Sequence, residues 1–209
     1  MLVSVSFLKN KLGEKQTIIN IDKSNADFIH VDIMDGKFVE NKNFTYDEIK
    51  DFFIDINKPL DIHLMVEDNL SYIKEFVKLK PAYISFHVES CENIEECIKY
   101  LHDNNIKAGI ALNPETRIYN ILPYLNDLDL VLVLSVHPGY GGQEFIKDTL
   151  KKINELKALQ PKYNYIINVD GGINSDTIKE VNSDMVVSGF YVVSQDDYNE
   201  RINELKKGK

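Results

Sequence analysis

Histidine and carboxylate side chains recur in this sequence where apolar runs stop. His30, Asp32 and Asp35 lie within IHVDIMDG, and His63 closes LDIH. His87 and Glu89 close YISFHVE, and Asp170 follows YIINV. A buried strand disfavours such groups unless they are paired, hydrogen-bonded or bound to metal. Residues two apart in a strand share a face, so His30, Asp32 and Met34 lie together, as do His63 and Met65. Asp35 has the opposite parity and, with Gly36, is expected to shape the following turn. Either histidine alone reads as a hydrogen-bonded core residue. Two histidines at matching strand ends, joined by Asp32 and Asp170, point instead to a metal site. Two imidazoles and two carboxylates suit Zn²⁺, Fe²⁺ or Mn²⁺, and ligand type alone does not choose among them.

A second constellation is rich in glycine. His137-Pro138-Gly139-Tyr140-Gly141-Gly142-Gln143 leads toward a helix expected from Glu144, Gly171-Gly172 follows Asp170, and Ser188-Gly189 ends another apolar run. Glycine lets backbone N–H groups turn toward a ligand, and a cluster of them can cradle an anion. One such loop is usually a turn; three after successive late strands suggest a phosphate site. A metal beside paired carboxylates, with a phosphate nest nearby, describes a handler of small sugar phosphates. Its chemistry would be proton transfer next to a carbonyl, with a metal polarising the oxygen and carboxylates moving the proton. Asp32 and Asp170 would approach one carbon from opposite faces and invert it. A Schiff-base aldolase fits less well, because no lysine ends a strand here and Lys107 stands before one.

Eight apolar segments would have to hold these groups in place: Leu2–Leu8, Phe28–Ile33, Leu60–Val66, Tyr83–His87, Ala108–Leu112, Leu130–Val136, Tyr165–Val169 and Met185–Ser188. Several are nearly continuous in Val, Ile and Leu, as strands covered on both faces should be. Helical periodicity lies between them, as in Ile94, Cys97, Ile98 and Leu101, more loosely in Phe145, Thr149, Ile153 and Leu156, and finally over Asp196–Lys207. Eight strands alternating with eight helical segments predict an α/β fold, a TIM (β/α)8 barrel occupying residues 1–209 as one domain, with an open doubly wound sheet as the rival. In either fold ligands bind at the carboxyl ends of the strands, where these polar residues fall; Asn113 and His137 lie at such ends too.

The chain has 209 residues, of which 44% are apolar and 27% charged, a balance that supports a globular core. Its formal charge of −9 argues against nucleic acid as a partner. No apolar run reaches the roughly 20 residues of a membrane span, and no signal pattern is visible, so no membrane partner and a cytoplasmic location are expected. Cys91 and Cys97 are too few for a disulfide framework and read as reduced thiols.

These motifs together resemble the ribulose-phosphate 3-epimerase family. The resemblance is carried by Ser6-Phe7-Leu8, His30-Val31-Asp32-Ile33-Met34-Asp35-Gly36, Phe38-Val39, Asp61-Ile62-His63-Leu64-Met65-Val66, Phe86-His87-Val88-Glu89, Asn113-Pro114, Pro138 to Gln143 and Val169-Asp170-Gly171-Gly172. It implies a TIM barrel that interconverts D-ribulose 5-phosphate and D-xylulose 5-phosphate by proton transfer at C3, through a metal-stabilised 2,3-enediolate. It further implies one divalent metal on His30, Asp32, His63 and Asp170, with Asp32 and Asp170 as the acid/base pair. Ser6 and His63 would touch substrate, Met34 and Met65 would line the metal site, and the backbone of Gly139, Tyr140, Gly141, Gly142, Gly171, Gly172, Gly189 and Phe190 would hold the phosphate. Members are commonly homo-oligomers. The chain departs from the family at Leu134, where a third methionine is usual, at Lys37 and Glu40, where His and Pro are usual, and at Phe190, where a small serine is usual. The Phe190 ring must then point away from a phosphate held by its amide. Allulose 6-phosphate is the alternative substrate, and a silent binding barrel is the alternative from another class.

Overall fold

The computed structural model describes residues 1–208. Eight parallel strands close on themselves in sequence order: β1 (Leu2–Ser6), β2 (Phe28–Met34), β3 (Leu60–Met65), β4 (Tyr83–His87), β5 (Lys107–Leu112), β6 (Leu130–Leu134), β7 (Ile166–Asp170) and β8 (Met185–Ser188). The expected (β/α)8 barrel is therefore the fold, and the open sheet is excluded. Strand ends move by one or two residues from the expected ones, and Asp170 becomes the last residue of β7 rather than the first after it.

The barrel is clothed by α1 (Glu14–Lys23), α2 (Tyr46–Ile49), α3 (Asn69–Phe76), α4 (Ile94–Asp103), α5 (Thr149–Leu159), α6 (Phe190–Val193) and α7 (Tyr198–Lys207). Eight full helical segments are not what forms. The connection from β5 to β6 holds only 3-10 turns, Ile118–Asn120 and Leu122–Tyr124, because Pro123 lacks an N–H and disfavours helix at the residue before it. Between β7 and β8 one 3-10 turn, Thr177–Lys179, follows an Asn174 side chain that accepts from the Asp176 and Thr177 amides. The helix expected from Glu144 starts at Thr149 instead. Residues before it are tied into a loop, with the Ile146 amide donating to the Ser135 carbonyl at 2.8 Å.

Two cores result. The larger lies between sheet and helices and includes Val5, Ile29, Ile62, Phe86, Ile110, Val131, Ile167 and Val186. The barrel interior is divided by character. Along β5 and β6 and at the start of β4 it is apolar, filled by Tyr83, Ala111, Leu130, Leu132 and Leu134. Toward β1–β4 and β7 it is polar, filled by buried Ser4, His30, Asp61, Ser85 and Asn168. Register sets His30 beside Asp61, Asp32 beside His63 and Met34 beside Met65 on adjacent strands. That pairing stacks the polar side chains upward toward the carboxyl ends, where the site opens.

Candidate functional site

A cavity of about 600 Å³ opens at the carboxyl ends of the strands. Its lining includes Ser6, Asp32, Met34, His63, Met65, Gly139, Tyr140, Gly141, Gly142, Asp170, Gly171, Gly172, Gly189 and Phe190. Every expected site residue is thus brought together, with fully buried His30 just beneath the lining. His137 is exposed and faces Glu115 at 3.6 Å, so it takes no part in the polar cluster. Asp35 behaves as its parity predicts. Its carboxylate accepts from the amides of Lys37, Phe38 and Glu67, and Gly36 takes the positive φ of 75° that the turn demands.

At the cavity floor, one ligand atom each from His30, Asp32, His63 and Asp170 lie within 4.8 Å of one another, a group that could hold a metal ion. His30 Nε2 and His63 Nδ1 each stand 3.2 Å from Asp32 Oδ1. The same two nitrogens stand 3.8 and 3.9 Å from Asp170 Oδ2. Ser6 Oγ donates to Asp32 Oδ2 at 2.9 Å and so leaves Oδ1 for the cluster. Met34, Met65 and Val39, with Leu8 and Phe38, form an apolar wall above it.

The proton positions test whether this set suits a cation. Glu89 Oε2 lies 2.9 Å from His87 Nδ1, and a carboxylate can only accept, so that nitrogen carries hydrogen. Burial, opposed in part by Glu89, pushes the His87 pKa down to about 4, leaving its Nε2 bare at neutral pH. That bare nitrogen is 2.9 Å from His63 Nε2, which must therefore donate. His63 Nδ1 then turns a lone pair toward Asp32. On the other side Asp61 Oδ2 accepts from His30 Nδ1 at 2.8 Å, so His30 Nε2 also turns toward Asp32. Lone pairs converging on one carboxylate repel unless positive charge lies among them. In the metal-free protein a proton supplies it. Burial alone would lower the His30 pKa, but Asp32 and Asp61 together raise it well above the usual value. A divalent cation supplies the same charge without a proton, and carboxylate-backed imidazoles are the usual second layer of such sites. The residues fit a metal.

The two candidate acid/base carboxylates differ. Burial pushes the Asp32 carboxyl up, but the charge of His30 and then its hydrogen bond hold it well below the usual range. Burial raises Asp170 to about 7, with His30 opposing and Asp32 and Asp61 adding to the rise. Asp170 is also the carboxylate more open to the cavity, its side chain 20% exposed against 7% for Asp32. Asp61, His87 and Glu89 are the site's missed members. Sequence spacing placed His87 and Glu89 at a strand end without a role, and Asp61 shares strand parity with His63.

The far end of the cavity is glycine. The loop of Gly139–Gln143 is pinned by the Gln143 side chain, which donates to the carbonyls of His137 at 2.7 Å and Tyr140 at 2.8 Å. Asn41 donates to the Gly139 carbonyl at 2.7 Å, and the Tyr140 hydroxyl donates to Glu40 at 3.1 Å. Glu40, a departure from the family pattern, therefore ties the loop after β2 to the loop after β6. At Gly172, φ is +65° and a Cβ would sit 2.6 Å from the Phe145 nitrogen, so only glycine fits. Phe190 is among the residues that line the cavity, with the Lys9 ammonium 5.1 Å from its ring centroid.

Comparison with known proteins bears on the family. The profile of the Ribulose-phosphate 3 epimerase family matches residues 2–193. A Bacillus subtilis (strain 168) protein named Ribulose-phosphate 3-epimerase is 37% identical over 198 residues, covering 92% of this chain and 91% of its own. A Helicobacter pylori (strain J99) protein of the same name is 38% identical over 179 residues, covering 83% of this chain and 82% of its own. Among solved structures, 3-hexulose-6-phosphate synthase from Salmonella typhimurium superposes with a TM-score of 0.72 at 15% identity, covering 100% of this chain and 98% of its own, a likeness of fold alone. With the family profile spanning all eight strands and both halves of the cavity, the chain belongs to the ribulose-phosphate 3-epimerase family.

Proposed function

We propose that the chain interconverts D-ribulose 5-phosphate and D-xylulose 5-phosphate by proton transfer at C3, through a 2,3-enediolate. The observation that carries this reading is the pair Asp32 and Asp170, set around one point in unlike environments, with a glycine-lined pocket at the other end of the same cavity. In one direction Asp32 takes the C3 proton while Asp170 delivers one to the opposite face; the reverse reaction exchanges their roles. The C3–H bond broken on one face is replaced by one formed on the other, so no oxidant or co-reactant is needed. Two carboxyl groups with separated proton affinities are the usual means of placing an acid and a base side by side. Ser6 orients Asp32, and the Met34–Met65–Val39 wall keeps water from the carbanionic centre.

His30, Asp32, His63 and Asp170 would hold one divalent metal, Zn²⁺, Fe²⁺ or Mn²⁺. When bound, it supplies fixed positive charge that stabilises the oxyanion charge of the enediolate. The backbone of Gly139–Gly142, Gly171–Gly172 and Gly189–Phe190 would receive the phosphate. The family resemblance also supports a homo-oligomer in the cytoplasm, formed of single-domain subunits.

The test is a coupled ribulose 5-phosphate assay before chelation, after it and after metal add-back. Activity should vanish and return. Full turnover by protein shown metal-free by elemental analysis would remove the metal from the account. Turnover of allulose 6-phosphate but not ribulose 5-phosphate would replace the substrate.

A further inference from the structure

Lys9 lies in the loop after β1, directly beyond the Ser6-Phe7-Leu8 motif, and no feature of the family resemblance gives it a role. The structure does. A Cβ built on Gly141 would meet Lys9 Cβ at 3.5 Å, and one built on Gly142 would meet Lys9 Nζ at 2.9 Å. The lysine side chain therefore runs along the glycine loop, with its ammonium against Gly142. From the other side, that ammonium stands over the Phe190 ring at 5.1 Å. Gly142 belongs to the loop after β6 and Phe190 opens α6 directly after β8, so Lys9 joins the two edges of the pocket in which the phosphate is placed.

Its charge is uncommitted. Two lysines line the cavity. Lys147 is paired with Glu180 at 2.8 Å, whereas no carboxylate lies within 4 Å of the Lys9 ammonium among the described residues. In a chain of formal charge −9, one unpaired cation at the glycine end of an otherwise acid-floored cavity has a definite electrostatic consequence. It favours an anion at that end and leaves the aspartate end to the metal. The ring of Phe190 holds the ammonium there by cation–π attraction, which limits the freedom the lysine would lose on binding.

We propose that Lys9 is a specificity-determining residue that pairs with the phosphate dianion of the substrate, and that Phe190 positions it. This rests on the sugar-phosphate reading of the cavity. Backbone amides recognise the shape of the anion, and Lys9 supplies the charge. The bulky Phe190 is then part of the recognition apparatus rather than an obstacle to it.

Lys9→Met keeps an unbranched apolar stem beside Phe190 while removing the charge and its cation–π contact. In the metal-loaded enzyme, KM for ribulose 5-phosphate should rise about 10- to 100-fold, the range expected for a lost charge-assisted contact. The inhibition constant of inorganic phosphate should rise in parallel, and Lys9→Arg should restore most of both. The dependence of KM on ionic strength should flatten in Lys9→Met. KM and phosphate inhibition within twofold of wild type would overturn the proposal. If the wild-type enzyme failed to turn over ribulose 5-phosphate, the functional reading would fall. Calorimetry with inorganic phosphate would still decide Lys9, since binding lost in Lys9→Met supports it and equal binding in both proteins refutes it.

Discussion

Replacing Asp61 by asparagine should loosen a metal that Asp61 does not touch. Asp61 is fully buried, and its Oδ2 accepts from His30 Nδ1 at 2.8 Å, Ser4 Oγ at 3.0 Å and Asn168 Nδ2 at 3.4 Å. Asparagine preserves the shape and removes the charge. The bond that fixes the His30 ring then passes from charge-assisted to neutral, a loss of about 1–2 kcal/mol. Outer-layer partners of metal-bound histidines typically govern about 10- to 100-fold in affinity, which includes that figure. A second cost falls elsewhere. Asp61 Oδ1 has no partner, so an amide nitrogen placed there would be a buried donor without an acceptor. That cost is common to the metal-free and metal-loaded forms, so it lowers the melting temperature and cancels from the affinity. A third effect opposes the first, because His30 without Asp61 holds its proton less firmly and competes less with metal. Measuring at alkaline pH minimises it. In competition with a chromogenic chelator, Asp61→Asn should bind metal about 10- to 100-fold more weakly than wild type. Affinity within twofold of wild type, in a variant with native circular dichroism, would refute the proton positions assigned to His30 and Asp61.

Three other outcomes follow from the same geometry. Asp170, pushed up to about 7, keeps a proton in the folded metal-free protein that the unfolded chain releases near the ordinary value of 3.8. Its contribution is complete below about pH 4 and is lost as pH rises toward 7, so wild type minus Asp170→Asn should show stability falling across that window; a difference rising with pH would contradict the assignment. Saturating metal should reverse that trend, because metal binding releases protons, and thermal melts in both states would show it. Gly109→Ala would put a Cβ 2.3 Å from Ser85 Oγ and 3.1 Å from Leu130 Cδ2 inside the barrel, costing about 1–3 kcal/mol in urea unfolding. Adding Ser85→Ala should recover part of that loss, since Ser85 Oγ has no partner to forfeit.

The sequence was most legible where one physical constraint dominates. Strands buried on both faces must be nearly continuous in Val, Ile and Leu, and LVLVL and VDIM announce themselves for that reason. Parity then assigned faces, separating Asp32 from Asp35 correctly, since Asp35 spends its carboxylate on turn amides. The missing helices were less visible, because periodic apolar residues such as Ile118, Ile121 and Leu125 are buried by 3-10 turns as well as by an α-helix. Asp61 escaped notice because it lies inside a strand, and only the register that sets it beside His30 reveals its use. His87 and Glu89 stood at a strand end, but their link to His63 depends on ring orientation, which spacing does not encode. Lys9 carried no signal at all, being one exposed lysine among many until the barrel closes and brings the loops after β1, β6 and β8 together.

In the proposed reaction Asp32 and Asp170 work on opposite faces of one carbon, and this requires exchange of the C3 hydrogen with solvent. It is tested most directly by following the C3 hydrogen in D₂O, with metal-loaded wild type, Asp32→Asn and Asp170→Asn. Wild type should gain solvent deuterium at C3 as it interconverts the two pentulose phosphates. Neither variant should epimerise, and any exchange that survives in a variant should be confined to the epimer that its remaining carboxylate can reach. Epimerisation that carries the original C3 hydrogen into product, or full epimerisation by either variant, would contradict the proposed reaction.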